Sequence, residues 1–178
     1  MWLTREQAQA IIAHARAESP REACGIIAGQ RDRAAEIIPI PNTAADPIHT
    51  YLMDERRLVE VFISLEARGL VLLGFYHSHP QSNPIPSPTD IKMASYPDTP
   101  YLIVGLKGGE ARLAAWKMRY GQVSEELVHI GNQPPPSSDS PTLSRAQKIA
   151  ILMSALIAFI LLIVLSLSLL PPAPLIPR

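Results

Sequence analysis

The chain has 178 residues, a length that suits one domain of ordinary size and an appended segment. Its 16 basic and 16 acidic side chains cancel, so the composition offers no basic excess for binding nucleic acid, and we expect no such partner. The single cysteine, Cys24, cannot form an internal disulfide, so nothing indicates an oxidising compartment.

The first 20 residues are predicted to form an amphipathic helix rather than an export signal. Thr4 can cap the helix, and apolar residues recur at helical spacing from Ala8 to Ala15. Charged residues interrupt the apolar ones, whereas a signal peptide needs an uninterrupted apolar core after a basic start. We therefore expect the domain to stay in the cytoplasm.

The rest of the first 131 residues alternates between strand and helix patterns. Strands are predicted over 22–29, 34–42, 48–53, 70–75, 101–106, 111–118 and 123–130, with a helix over 55–69 and a short one near Pro88. The apolar run 70–75 has the composition of a central strand that is covered on both faces. The order of these elements predicts an α+β fold, a mostly antiparallel sheet with helices packed on it.

The composition changes abruptly after residue 131. Residues 132–147 contain three consecutive prolines and several serines, which predicts a semi-extended linker. Residues 148–170 are predicted to form a transmembrane helix, because the stretch from Ile149 has no charge, Pro or Gly and spans roughly 33 Å as a helix, against a hydrocarbon core of about 30 Å.

This helix would anchor the domain 1–131 to a membrane as a single C-terminal span. A buried core helix is the alternative, but a domain this small could hardly enclose a helix that is apolar on every side. Arg145 and Lys148 lie on the domain side, and only Arg178 lies beyond, in the short tail 171–178. The excess of positive charge on the domain side gives modest support for the cytoplasmic side.

Two histidines follow the apolar run 70–75. Side chains two residues apart in an extended chain point to the same side, so His77 and His79 project together from the end of a rigid strand. Two imidazoles on one side are half of a tetrahedral zinc site. Taken alone the pair is a weak signal, since polar histidines at a strand end more often face solvent.

Asp90 lies eleven residues after His79, close enough to fold back towards the histidines. It would complete a set of two histidines and a carboxylate, which leaves a fourth position for water, as catalytic zinc sites require. Ser87, Pro88 and Asp90 also fit the first positions of a capped helix, an arrangement that needs no metal. The local pattern leaves both interpretations open.

Together with Glu22, these residues resemble the JAMM motif of the MPN-domain metallopeptidases. His77 and His79 are separated by one residue, seven residues separate His79 from Ser87, and two separate Ser87 from Asp90. The approach PREACGIIAG around Glu22 is similar to that of the bacterial members. The resemblance covers residues 1–131 and implies an MPN-like fold for them.

The resemblance also implies a role for each residue of the motif. His77, His79 and Asp90 would hold Zn²⁺ as the cofactor. Glu22 would act as the general base on the attacking water and then pass the proton to the leaving amine. Ser87 would donate a hydrogen bond to the oxyanion that forms at the scissile carbonyl.

Known members of the family cut bonds after ubiquitin or small ubiquitin-like proteins, and bacterial members are similar to peptidases that release cysteine or short extensions from sulfur-carrier proteins. The resemblance therefore implies a zinc peptidase with a ubiquitin-like or sulfur-carrier protein as its substrate. Two alternatives stay open: the same chemistry on other small peptides or amides, and a catalytically silent, membrane-tethered MPN binding module.

Overall fold

The computed structural model describes residues 1–133 and 145–168. Most of the predicted linker, the last two residues of the predicted transmembrane helix and the predicted tail 171–178 lie outside the described residues. The chain divides near residue 136 into two units, which are described separately.

The first unit is built from one eight-stranded sheet and three helices within residues 1–133. In chain order they are β1 (Trp2–Leu3), α1 (Arg5–Glu18), β2 (Cys24–Gln30), β3 (Arg33–Ile40), α2 (Glu55–Ala67), β4 (Val71–His79), α3 (Pro88–Met93), β5 (Tyr101–Gly105), β6 (Arg112–Arg119), β7 (Gln122–Glu126) and β8 (His129–Ile130). The strands are arranged in the order β7-β6-β5-β4-β2-β3-β1-β8, so β4 lies in the middle.

The sheet is mixed, and the prediction of a mostly antiparallel sheet holds for four of its seven pairings. Three of its seven pairings are parallel, namely β1–β3, β1–β8 and β4–β5. The pairing of β4 with β5 is parallel because the long connection through α3 carries the chain back across the sheet before β5 begins. The α+β class itself is confirmed.

The two long helices begin and end where their sequences predict. The Thr4 side chain accepts a hydrogen bond from the Gln7 backbone at 3.1 Å, and the Gln7 side chain accepts one from the Thr4 backbone at 2.9 Å, a reciprocal cap for α1. Asp54 caps α2 through the Arg57 backbone N–H at 2.7 Å. Gly69, with a φ of +65°, follows the last turn of α2, and glycine adopts this conformation at little cost.

The core has two parts, one on each face of the sheet. Ile11 and Ala15 of α1 pack in one cluster with Tyr76. Val61 and Leu65 of α2 pack in the other with the neighbouring Phe75. Because adjacent residues of a strand point to opposite faces, the two helices cover β4 from both sides, as expected for a central apolar strand.

Two predicted strands differ from the structure. Residues 48–53 form no strand, and only Met53 makes an isolated bridge, with Asn42. The reason is that the Asn42 side chain bonds the Thr50 carbonyl and the Leu52 N–H, which a strand would have used. The segment 123–130 also breaks after β7, and its end forms β8 beside β1.

The second unit contains α4 (Arg145–Ser168), a helix of 24 residues. Every residue from Ile149 to Ser166 is exposed. The helix is long and apolar enough to cross a membrane.

Candidate metal centre and active site

His77 and His79 lie within β4 rather than after it, because the strand extends through His79. His77 pairs with Cys24 of β2 on one side and with Ile103 of β5 on the other. Both histidines are buried, with relative exposures of 0% and 5%. Two neighbouring strands therefore hold the histidine pair on a rigid support.

Asp90 completes a buried cluster with the two histidines. His77 Nε2 and His79 Nε2 are 3.1 Å apart, and they lie 3.4 Å and 3.2 Å from the two Asp90 carboxylate oxygens. Ligand atoms bound to one tetrahedral zinc at 2.0–2.1 Å lie roughly 3.3 Å from each other. The three side chains thus fit a single metal ion with little rearrangement.

The rings of both histidines are fixed by neighbouring groups. His79 Nδ1 donates to the Asn83 carbonyl at 3.2 Å, which leaves its Nε2 free as a ligand. The ring of Tyr51 stacks on His77 with centroids 4.4 Å apart. His77 Nδ1 is buried and has no hydrogen-bond partner among the described residues.

The charge state of the cluster suits a cation. Burial alone would raise the pKa of Asp90, but the hydrogen bonds from His77 and His79 outweigh it and hold that pKa well below its usual range. Burial lowers the pKa of His77, so its imidazole is neutral near pH 7. Burial also opposes protonation of His79, yet the adjacent Asp90 and Glu22 raise its pKa. A proton on His79 therefore competes with metal binding.

The capping interpretation and the metal interpretation of Ser87 and Asp90 are compatible. The Ser87 backbone N–H donates to Asp90 Oδ2 at 2.7 Å, and the Asp90 N–H donates to Ser87 Oγ at 3.1 Å. This capping box turns the carboxylate towards the histidines. Ser87 Oγ only accepts here, so its hydroxyl hydrogen can still be donated to another group.

Glu22 lies two residues before β2 and is only 6% exposed. Its Oε2 has no hydrogen-bond partner among the described residues. Burial, opposed in part by the charge of His79, raises the Glu22 pKa from 4.5 to about 7. A carboxylate with a pKa near neutrality can both take and return a proton, as a general base must.

The sequence analysis did not predict a role for Asn42, which connects the Glu22 segment to the loop that contains Tyr51. Its Nδ2 donates to the Glu22 carbonyl at 2.9 Å and to the Thr50 carbonyl at 3.1 Å. Its Oδ1 accepts from the Ala44 and Leu52 backbones at 3.0 and 3.1 Å. An asparagine at the end of a predicted strand, directly after Pro41, was the available signal, because its side chain readily bonds nearby backbone.

Two other polar residues of this region are structural. Ser78 Oγ accepts from the Ala23 N–H at 2.8 Å and is fully buried, which fixes β4 to the chain directly after Glu22. The Cys24 thiol lies 3.4 Å from the Ile40 carbonyl, and burial, with the nearby charge of Glu22, raises its pKa to about 12. A buried thiol that stays protonated does not act as a nucleophile.

The raised pKa of Glu22 predicts a stability that depends on pH. The folded-state pKa exceeds the ordinary value, so the contribution of this group is fully present below about pH 4.5 and is lost as the pH rises through about 7. In the metal-free chain, Glu22→Gln should therefore raise Tm by several °C at pH 8 and by much less at pH 5. Thermal melts at both pH values test this, and an equal change at the two would contradict it.

Comparison with known proteins tests the family resemblance independently of the site geometry. Residues 4–119 match the family model described as prokaryotic homologs of the JAB domain. The chain is 43% identical over 101 residues to a probable TtuB-protein conjugate cleaving protease of Thermus thermophilus, covering 57% of this chain and 67% of that one. It is 38% identical over 112 residues to a desampylase of Haloferax volcanii, covering 60% and 81%.

A third relative and two solved structures extend the comparison. The CysO-cysteine peptidase of Mycobacterium tuberculosis is 35% identical over 127 residues, covering 70% of this chain and 86% of that one. A solution structure from Desulfitobacterium hafniense has a TM-score of 0.68 at 30% identity, covering 74% and 93%. A JAB1/MPN domain protein from Archaeoglobus fulgidus has a TM-score of 0.51 at 20% identity, covering 74% and 99%, a likeness of fold.

Proposed function

The chain belongs to the family of prokaryotic JAB-domain homologs, and from that premise we propose that it is a membrane-anchored zinc peptidase. Its substrate would be a ubiquitin-like or sulfur-carrier protein, cut at a peptide or isopeptide bond in the C-terminal tail. The names of the relatives support this class of substrate, since they are a conjugate-cleaving protease, a desampylase and a CysO-cysteine peptidase.

The buried cluster of His77, His79 and Asp90 carries the proposal. These residues would hold zinc, because their donor atoms already have the spacing of its ligands and two imidazoles with one carboxylate are a donor set of catalytic zinc sites. When bound, zinc supplies Lewis acidity and a nucleophile at neutral pH.

The chain's own residues then account for proton transfer and charge stabilisation. Glu22 takes a proton from the attacking water and delivers it to the nitrogen of the leaving amine as the C–N bond breaks. Among the described residues its Oε2 has no hydrogen-bond partner, and this and its pKa of about 7 suit both halves of that transfer. The Ser87 hydroxyl, whose hydrogen is not used in the cap, donates to the carbonyl oxygen as negative charge develops there.

A cleavage screen tests the proposed function. Candidate ubiquitin-like and sulfur-carrier proteins with C-terminal extensions are incubated with the zinc-loaded chain, and the masses of the products are measured by mass spectrometry. We expect a product that ends at the original C-terminus of the carrier, lost with a chelator and in Glu22→Gln. Binding of a carrier without any cleavage would support a catalytically silent binding module. Cleavage of small amides alone would show that carrier proteins are not the substrates.

We also propose that α4 spans the membrane and that the domain lies on its cytoplasmic side. The exposed apolar surface from Ile149 to Ser166 supports the span, and Arg145 and Lys148 before it support the orientation. We expect protease added to intact cells, or to spheroplasts, to leave the domain undigested until lysis. Truncation before Arg145 should release the protein into the soluble fraction. Digestion without lysis would overturn the orientation.

A further inference from the structure

A cavity of about 460 Å³ opens beside Glu22. His14 and Glu18 of α1 line it, together with Arg21, Glu22 and Asn42. Its walls include none of the three residues of the metal cluster. The volume lies in the range of roughly 300–1,000 Å³ that is usual for small-ligand sites and is far too small for a folded protein.

The position of Glu22 indicates which part of a substrate this cavity would receive. The residue that returns a proton to the leaving nitrogen must lie within hydrogen-bond reach of it. The group on the leaving side of the scissile bond therefore lies beside Glu22. A second cavity of about 210 Å³, lined mainly by aromatic and aliphatic side chains such as Tyr51, Phe75 and Tyr101, does not include Glu22.

Arg21 supplies a positive charge at this cavity. Its Nη2 donates to the Asn42 carbonyl at 3.1 Å, and its Nε lies 3.9 Å from the Glu18 carboxylate. Nη1 has no hydrogen-bond partner within residues 1–133 and 145–168. The side chain is half exposed, so an incoming anion can reach it. A guanidinium that is fixed by a carbonyl and still has N–H groups without a partner is suited to binding a carboxylate.

We propose that this cavity binds the residue released from the carrier tail and that Arg21 binds its free α-carboxylate, an inference that rests on the proposed function. In the reaction, Glu22 takes a proton from water as the water oxygen bonds to the carbonyl carbon, and it gives that proton to the nitrogen as the C–N bond breaks. The released amino acid carries an ammonium group, which is the former leaving nitrogen and lies beside Glu22, and a carboxylate, which matches Arg21. A lysine of a conjugated protein has no such carboxylate, so single-residue extensions are the preferred substrates.

Two substrates that differ in one group test the proposal. A carrier that ends in Gly-Gly is extended by one alanine, prepared as the free acid and as the carboxamide. The zinc-loaded chain should cleave the acid with a kcat/KM on the order of 10–100-fold higher, since a charge-assisted hydrogen bond is lost in the amide. Arg21→Gln should remove this preference by raising KM for the acid alone.

Arg16→Gln is the matched control, because Arg16 is an exposed arginine of α1 that contacts the Gly109 carbonyl and does not line the cavity. It should keep the preference. Equal cleavage of acid and amide by the unaltered chain, or an equal loss of both in Arg21→Gln, would overturn the proposal. Thermal melts of both variants establish that they are folded.

Binding without turnover separates this inference from the proposed function. The peptides Gly-Gly-Ala and Gly-Gly-Ala-amide are titrated into the chain and followed by NMR. If the acid binds more tightly than the amide, and Arg21→Gln removes this difference, the assignment of the cavity is supported even if no carrier is cleaved. In that case only the proposed function would fail. Equal affinities for acid and amide would overturn the cavity assignment whether or not carriers are cleaved.

Discussion

Glu22→Gln is expected to lower kcat by about 10²–10⁴-fold while the metal content of the chain stays unchanged. The substitution keeps the shape and burial of the side chain and removes only its ability to take up a proton. Glu22 is not one of the three residues of the buried cluster that could hold a metal ion, so the candidate ligands remain in place. The measurements are kcat on a cleaved carrier and elemental analysis of the same preparation.

The matched control is Glu6→Gln, which neutralises an exposed carboxylate in the first turn of α1. It should leave both kcat and metal content at the original values. Near-normal turnover by Glu22→Gln would show that another group moves the proton. A loss of zinc in parallel with activity would show that Glu22 acts by supporting the metal site rather than in proton transfer.

Replacing both histidines, His77→Ala with His79→Ala, should reduce the metal content from about one zinc per chain to background and abolish turnover. Asp90 would be left as the single protein ligand, and one carboxylate does not hold zinc against the solvent. The substitutions also remove the hydrogen bonds that the two histidines make to the buried Asp90 carboxylate. A lower Tm is therefore expected as well, and a thermal melt measures it.

Two further variants separate loss of metal from loss of the fold. His129→Ala removes an exposed histidine of the edge strand β8 and should keep full metal content. His79→Gln keeps a polar side chain of similar reach and should lose zinc with a smaller fall in Tm. Equal zinc in the original chain and in the folded double variant would rule out the assignment of the metal site.

Much of the fold follows from short-range signals in the sequence. Thr4 and Asp54 offer side-chain oxygens to the first free N–H groups of their helices, and those helices begin at the next residue. The apolar run before His77 forms the central strand, and its second half is buried because both faces of the sheet are covered there. The family resemblance drawn from the motif around Glu22, His77 and Asp90 is confirmed by the match over residues 4–119.

The short strands and the order of the sheet could not be predicted in the same way. Strand β1 contains two residues, Trp2 and Leu3, and β8 contains two more, so neither shows a period. They form because β3 leaves an edge to which β1 can bond, and β1 in turn pairs with β8. The loop around Tyr51 does not form the predicted strand, because the Asn42 side chain hydrogen-bonds the backbone of Thr50 and Leu52.

By itself the sequence determined which side chains could carry the chemistry, since one residue between His77 and His79 puts both on the same side of any extended strand. It left open whether Asp90 caps a helix or faces the histidines, because both fit the same spacing. Only the tertiary structure decided that Asp90 does both and that Glu22 lies buried with a pKa of about 7. The reason is physical: burial, hydrogen bonds and the distance between charges depend on segments that are far apart in the chain, and these three quantities set the protonation of a carboxyl group.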